Sequence, residues 1–328
     1  MRIAAFEFEH GGVERLGLVT EDGDAVRPLP LGPTLLEFLA RIQVEGAGAA
    51  TELAVPLGEV RLLPPLHPAS IRDFVSFERH VEGATKAVEG KEAVPERWYE
   101  APTFLFMNPH SAIGSGELVP IPPGAKLMDY ELEVGAVIGR DGRDLTPAQA
   151  RDHIAGYLVV NDWSARDLQA WEMRMGLGPA KGKDFDNTLG PWLVTPDELE
   201  PWRRDARLDL AMTVSVNGSQ LGADRLSHMA WSFEELIAYA TRGAWVRAGD
   251  VIASGTCAGG ALAELWGRAG RQEPPPLRAG DVVTMTVEGI GTISNQLVEG
   301  PPEATPIPPA RRLPRADTSA AISAEKGA

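Results

Sequence analysis

The sequence predicts an α+β protein built mainly of strands, with helices at the periphery and a small β-rich unit at the N-terminus. Three observations carry this expectation. Apolar runs of strand length recur from residue 70 onward. Helical periodicity is confined to a few short segments. The strands are separated by long irregular stretches, not by the regular helices that a βαβ sheet requires.

The elements follow in order. MRIAAFEF alternates loosely, and GLVTEDGDAVRPL sets an Asp-Gly pair between two β-type runs, a hairpin signal. Residues 34–43, TLLEFLARIQ, space Leu35, Leu36, Phe38 and Leu39 as a helix does. The proline-rich stretch 58–68, GEVRLLPPLHP, reads as a connector, which puts a domain boundary near residue 65: 1–65 a small N-terminal domain, 66–300 the main one. Strands are expected at 104–107, 132–139, 155–162, 210–218, 250–255 and 281–293. Thr146 starts a helical pattern over 146–156. Ser232 and Glu235 form a capping-box pattern before a helix at 232–241. Arg247-Ala-Gly-Asp and Arg278-Ala-Gly-Asp each read as a turn feeding a strand. Residues 301–328, rich in proline and alanine and poor in large apolar residues, are expected to be disordered.

Composition narrows the function. With 44% hydrophobic and 23% charged residues the chain can build a sizeable core. No apolar run reaches membrane-spanning length, and the first residues lack a signal-peptide layout, so a cytoplasmic location is the default. The single cysteine, Cys257, excludes an internal disulfide and reads as a small packing residue. A net charge of -15 argues against nucleic acid and against an anionic membrane as partners. It leaves open that some carboxylates converge on a metal.

Three pieces of sequence carry chemistry. In Asp129-Tyr-Glu131-Leu-Glu133, residues two apart share a strand face, so Glu131 and Glu133 present paired carboxylates. Like charges held close need a neutralising partner, and a hard divalent cation is one. The alternative is a solvated acidic face. Asp162 closes the apolar run AGYLVVND, where a buried acid is costly unless paired or metal-bound; the alternative is a turn-starting Asn-Asp. Asp73 and His80 add a carboxylate and a base seven residues apart. A lone histidine is otherwise most often a structural or surface group.

Together, DYELEVGAVIGRDG, GYLVVNDWSARDLQAWE, KGKDFDNTLGPWLVT, SVNGSQLGADRLSHMAWSFEELIAY, RAGDVIASGTCAGG and RAGDVVTMTVEGIGTISN resemble the fumarylacetoacetate hydrolase superfamily, in the family's order and spacing, over about residues 70–298. The resemblance implies a mixed β-roll of the fumarylacetoacetase C-terminal type. It implies a divalent metal on Asp73, Glu131, Glu133 and Asp162, with Mg²⁺ first and Ca²⁺ or Mn²⁺ as alternatives. It implies His80 as catalytic base with Glu264 as partner (Glu82 the lesser candidate, since Gly83 stands where smaller members carry a glutamate). Lys183 matches the active-site lysine, and Gln169 and Thr256 match substrate-binding positions. A homodimer is also implied. The substrate-holding tyrosines of the fumarylacetoacetases look replaced by Val75, Phe106 and Met173, which points away from fumarylacetoacetate and toward a less polar or differently shaped acyl group.

The expected function is cleavage of a C–C bond in a β-diketone or acylpyruvate through a stabilised enolate. Isomerisation, decarboxylation or hydration of unsaturated keto-dioic acids on the same site is the alternative, and a non-catalytic protein holding structural Ca²⁺ a third. The charged segment between His80 and Trp98 is expected to be a mobile lid.

Overall fold

Residues 132–138 form an almost unbroken apolar run, and burial on both sides is the reason. The computed structural model describes residues 1–8, 10–45, 53–89 and 93–311. It places Leu132–Ile138 inside a 12-stranded sheet. Val134, Ala136 and Ile138 pack into a core shared with Met212, Met285 and Ile293 of a second, five-stranded sheet. Val137, on the other face, joins Val160, Leu189, Leu193 and Val251. That second core is closed by Leu35, Phe38 and Leu39 of the helix Leu35–Glu45. A strand covered on both faces gains from apolar side chains at every position, so strict alternation disappears.

The central strands of the large sheet run in the order Arg2–Glu7, Asn187–Val194, Ile154–Asp162, Leu132–Ile138, Val251–Ala253, Ile71–Phe74 and Phe104–Met107. The predicted hairpin forms from Arg15–Val19 and Ala25–Pro28 and extends the sheet beyond Arg2–Glu7. Arg2 pairs with Val194, so hydrogen bonding passes from the N-terminal strands into the rest of the sheet. The boundary expected near residue 65 thus separates two parts of one bonded sheet.

Several segments differ from expectation. The helical pattern at 146–156 is helix only over Pro147–Arg151, because Ile154 already starts the long strand. The run 281–293 is a hairpin, Val282–Val287 and Gly291–Val298. The connector at 58–68 contains a strand, Arg61–Leu63, paired with Arg2–Glu7. Much of the segment expected to be a lid belongs to the helix Glu78–Glu89, which packs on the helix Leu262–Ala269; residues 90–92 lie outside the described residues. The tail expected to be disordered is irregular and exposed over 301–311; residues 312–328 also lie outside the described residues.

The two Arg-Ala-Gly-Asp turns are alike in detail. Asp250 accepts the backbone N–H of Arg247 at 3.0 Å, and Asp281 that of Arg278 at 2.8 Å. The capping box on Phe233–Ala240 is complete, with Ser232 and Glu235 bonding reciprocally. Among the described residues no helix is long and apolar enough to cross a membrane.

Candidate active site

Strand register brings the carboxylates together. Glu133 pairs with Val160, and Gly135 with Ala253, which in turn pairs with Asp73. Directly paired residues share a face, so Glu133, Asp73 and Asp162 all lie on the face of Val137, Val160 and Val251. Glu131 precedes the strand, and its carbonyl accepts the N–H of Asp162 at 3.2 Å. The carboxylates of Asp73, Glu131 and Glu133 offer oxygens within 4.8 Å of one another, all three residues buried. Asp162 is fully buried beside them; its Oδ2 is bound by Lys183 Nζ, which also reaches Glu131 Oε2 at 2.6 Å. The solvated acidic face is therefore excluded for all of these groups.

Three oxygens in this cluster, Asp73 Oδ1, Glu133 Oε2 and Asp162 Oδ1, are buried without a hydrogen-bond partner. A buried carboxylate oxygen left bare costs free energy comparable to a lost charged hydrogen bond. Their chemistry, hard oxygen donors, fits a divalent cation, although the mutual spacing within 4.8 Å holds for Asp73, Glu131 and Glu133 and does not extend to Asp162. The electrostatics point the same way. Burial raises Asp73 to about 6, against the pull of Lys183 and His80. Burial and the charges of Asp73 and Glu131 push Glu133 well above the carboxylate range. Burial does the same to Asp162, although Lys183 opposes it. For Glu131, burial is outweighed by Lys183, Arg166 and His80, and its carboxyl is held low. The cluster carries more negative charge than Lys183 and Arg166 balance, so it retains protons that a cation could replace.

His80 sits at the edge of this cluster. His80 lies in the first turn of Glu78–Glu89, and its Nδ1 meets Glu264 Oε2 at 3.2 Å. Glu264 is fully buried, and the same oxygen accepts the N–H of Gly259 at 2.7 Å. The two helices touch so closely that a Cβ on Gly83 would lie 2.3 Å from Glu264 Cγ. Gly83 thus clears the space that Glu264 fills, and the partner of His80 Nδ1 is Glu264, not Glu82. Thr256 Oγ1 donates to Glu133 Oε1 at 3.2 Å. The preceding Gly255 has φ +80°, and a Cβ there would collide with the Phe74 carbonyl oxygen at 2.1 Å. Only glycine lets this turn lie against the Asp73 strand.

The family model for the fumarylacetoacetate hydrolase C-terminal domain matches residues 69–298. The chain belongs to this family. It is 28% identical over 247 residues to the fumarylacetoacetase of Oryza sativa subsp. japonica, covering 62% of this chain but only 57% of the rice protein. It is 31% identical over 244 residues to the oxaloacetate tautomerase of Bacillus subtilis, covering 74% of each. In fold it is similar to maleylpyruvate hydrolase from Sphingobium sp. SYK-6, solved with manganese(II) and pyruvate, at TM-score 0.66 and 21% identity, over 92% of this chain and all of that one. The mixed, sheet-dominated α+β architecture agrees with the family fold.

Two functional candidates in this family member were missed by sequence reasoning. Arg166 donates to Asp129 Oδ2 at 2.8 Å, to Glu131 Oε1 at 2.6 Å and to Gln169 Oε1 at 3.0 Å. Its signal was its place four residues after Asp162, on the helix that also carries Gln169. The sequence groups Asp129 only with a solvated face, yet it is fully buried. Of the positions matched to substrate tyrosines, Phe106 pairs with Arg72 and so faces away from Asp73, stacking on Arg72 with the guanidinium 5.5 Å from the ring. Met173 is half exposed, just past the end of the Gln169 helix.

Proposed function

We propose that this protein is a metal-dependent hydrolase that cleaves the C–C bond of a β-diketone or acylpyruvate. The observation that carries the reading is the set of bare, buried carboxylate oxygens beside the His80–Glu264 pair. Asp73, Glu131, Glu133 and Asp162 would hold the divalent cation, Mg²⁺ first. When bound, it would supply Lewis-acid polarisation of the substrate carbonyls.

His80 takes a proton from water through Nε2 as the water oxygen bonds to the carbonyl carbon. Glu264 accepts a hydrogen bond from Nδ1–H, fixes the tautomer and stabilises the imidazolium. The C–C bond then breaks to a carboxylic acid and an enolate, and the imidazolium returns its proton to the enolate carbon. Lys183 and Arg166 place positive charge where the oxyanion develops. Gln169 would contact the substrate and Thr256 would bind its carboxylate.

A second reading is isomerisation or decarboxylation of a keto-dioic acid, and the likeness to the Bacillus tautomerase favours its isomerisation form. Incubation of an acylpyruvate with the protein and Mg²⁺ separates the two. Hydrolysis gives two fragments, a keto acid and a carboxylic acid. Release of carbon dioxide, or an unchanged mass with altered absorbance, would overturn the hydrolase reading in favour of the second.

A further inference from the structure

Asp129 is an acid that the proposed chemistry leaves without a role, and its carboxylate is fully committed. Oδ1 accepts the backbone N–H of Tyr130 at 2.8 Å and of Leu262 at 2.7 Å. Oδ2 accepts the N–H of Ala263 at 3.0 Å and Nε of Arg166 at 2.8 Å. Burying a carboxylate is tolerable when its lone pairs are all met, and here four donors meet them.

The donors come from both halves of the site. Leu262 and Ala263 open the helix Leu262–Ala269, whose N-cap residue, Ala261, has no side chain able to cap it. The cap is supplied instead by an acid 133 residues earlier in the chain. Glu264, the partner of His80, is the third residue of that helix. The remaining side-chain donor, Arg166, carries on to Glu131 and Gln169.

We propose that Asp129 is a positioning residue that holds the His80–Glu264 pair in register with Arg166, Glu131 and Gln169. Without it the Glu264 helix loses its anchor, and Arg166 turns wholly toward Glu131. One buried side chain thus sets the spacing between the group that takes the proton from water and the groups that face the developing charge. The proposal rests on the reading of His80 as the base.

The test uses the full chain carrying Asp129→Asn, which keeps the shape and removes the charge. The ring-nitrogen NMR signals of His80, identified by their loss in His80→Gln, are compared in wild type, D129N and E264Q. The Nδ1 signal of D129N is expected to move toward its position in E264Q. On an acylpyruvate, kcat should fall tenfold or more with KM within twofold, and D129N should cost less than threefold more when added to E264Q, because both act through one element. A folded D129N with the wild-type His80 signals, or one whose loss adds in full to that of E264Q, would overturn the proposal. If D129N does not fold, Asp129→Ser, which retains a capping hydroxyl, is read in the same way; failure of both to fold assigns Asp129 to stability alone and overturns the proposal. A wild type without turnover counts against the hydrolase reading, and the ring-nitrogen comparison then decides the role of Asp129 by itself.

Discussion

Gly83 and Glu264 show how tightly single residues constrain this site. A methyl group at 83 would meet Glu264 Cγ at 2.3 Å, so Gly83→Ala must move Glu264, the helix that carries it, or both. Overpacking of this kind costs about 1–3 kcal/mol. Urea unfolding of G83A should report that loss, and turnover should fall with it because His80 loses its oriented partner. His80→Ala should leave Mg²⁺ affinity unchanged by calorimetry while lowering kcat by about 10²–10⁴-fold, the range of general-base help; turnover at the wild-type rate would remove His80 from the mechanism. Asp162→Ala should instead weaken metal affinity, since it removes a proposed ligand. The acids of this site were legible as residue types and spacings. Arg166 was not, because an arginine on a short helix looks the same in sequence whether it faces solvent or a buried carboxylate.

At the scale of elements, the local signals with a hydrogen-bonding mechanism survived best. The capping box at Ser232 and the two Arg-Ala-Gly-Asp turns are satisfied within a few residues, so no distant contact can override them. Ser232→Ala should cost about 0.5–2 kcal/mol of stability, the usual worth of an N-cap, and leave kcat/KM unchanged, because that helix contributes no group to the site. Equal melting temperatures for S232A and wild type would contradict this. Boundaries fared worse where local propensity met a tertiary demand. The pattern after Thr146 would support a longer helix, but Ile154 and Tyr157 are claimed by the sheet core. The helix Leu262–Ala269 carries no cap signal of its own in sequence, because its cap comes from Asp129.

At the scale of the whole molecule, the carboxylate cluster makes stability depend on pH and on metal. Asp73 titrates at about 6 in the folded protein and at 3.8 in its ordinary state. Between those values the native chain keeps a proton that the unfolded chain has released, so the free energy of unfolding falls as pH rises. Glu133 and Asp162, also raised well above their ordinary values, act in the same sense. Glu131, held low, acts in the opposite sense but only below its ordinary value of 4.5. Metal-free protein should therefore lose thermal stability as pH rises from about 4.5 to about 6 and beyond, and Mn²⁺ should remove the slope by replacing the retained protons. A melting temperature that is flat with pH in the presence of a chelator would contradict the cluster's electrostatics. Light scattering should report the mass of a homodimer, as the family resemblance implies.

The sequence by itself determined the family, the strand-rich class, the paired acids and the local caps and turns, because each is written in residues close together or in motifs that keep their order. Only the tertiary structure decided which carboxylates share a point, that Glu264 and not Glu82 meets His80, and that Asp129 and Arg166 tie the site together. Those facts depend on strand register and helix packing between residues from 37 to 184 positions apart in the chain. No local pattern encodes them, since the free energy that fixes them comes from burial shared by the whole sheet.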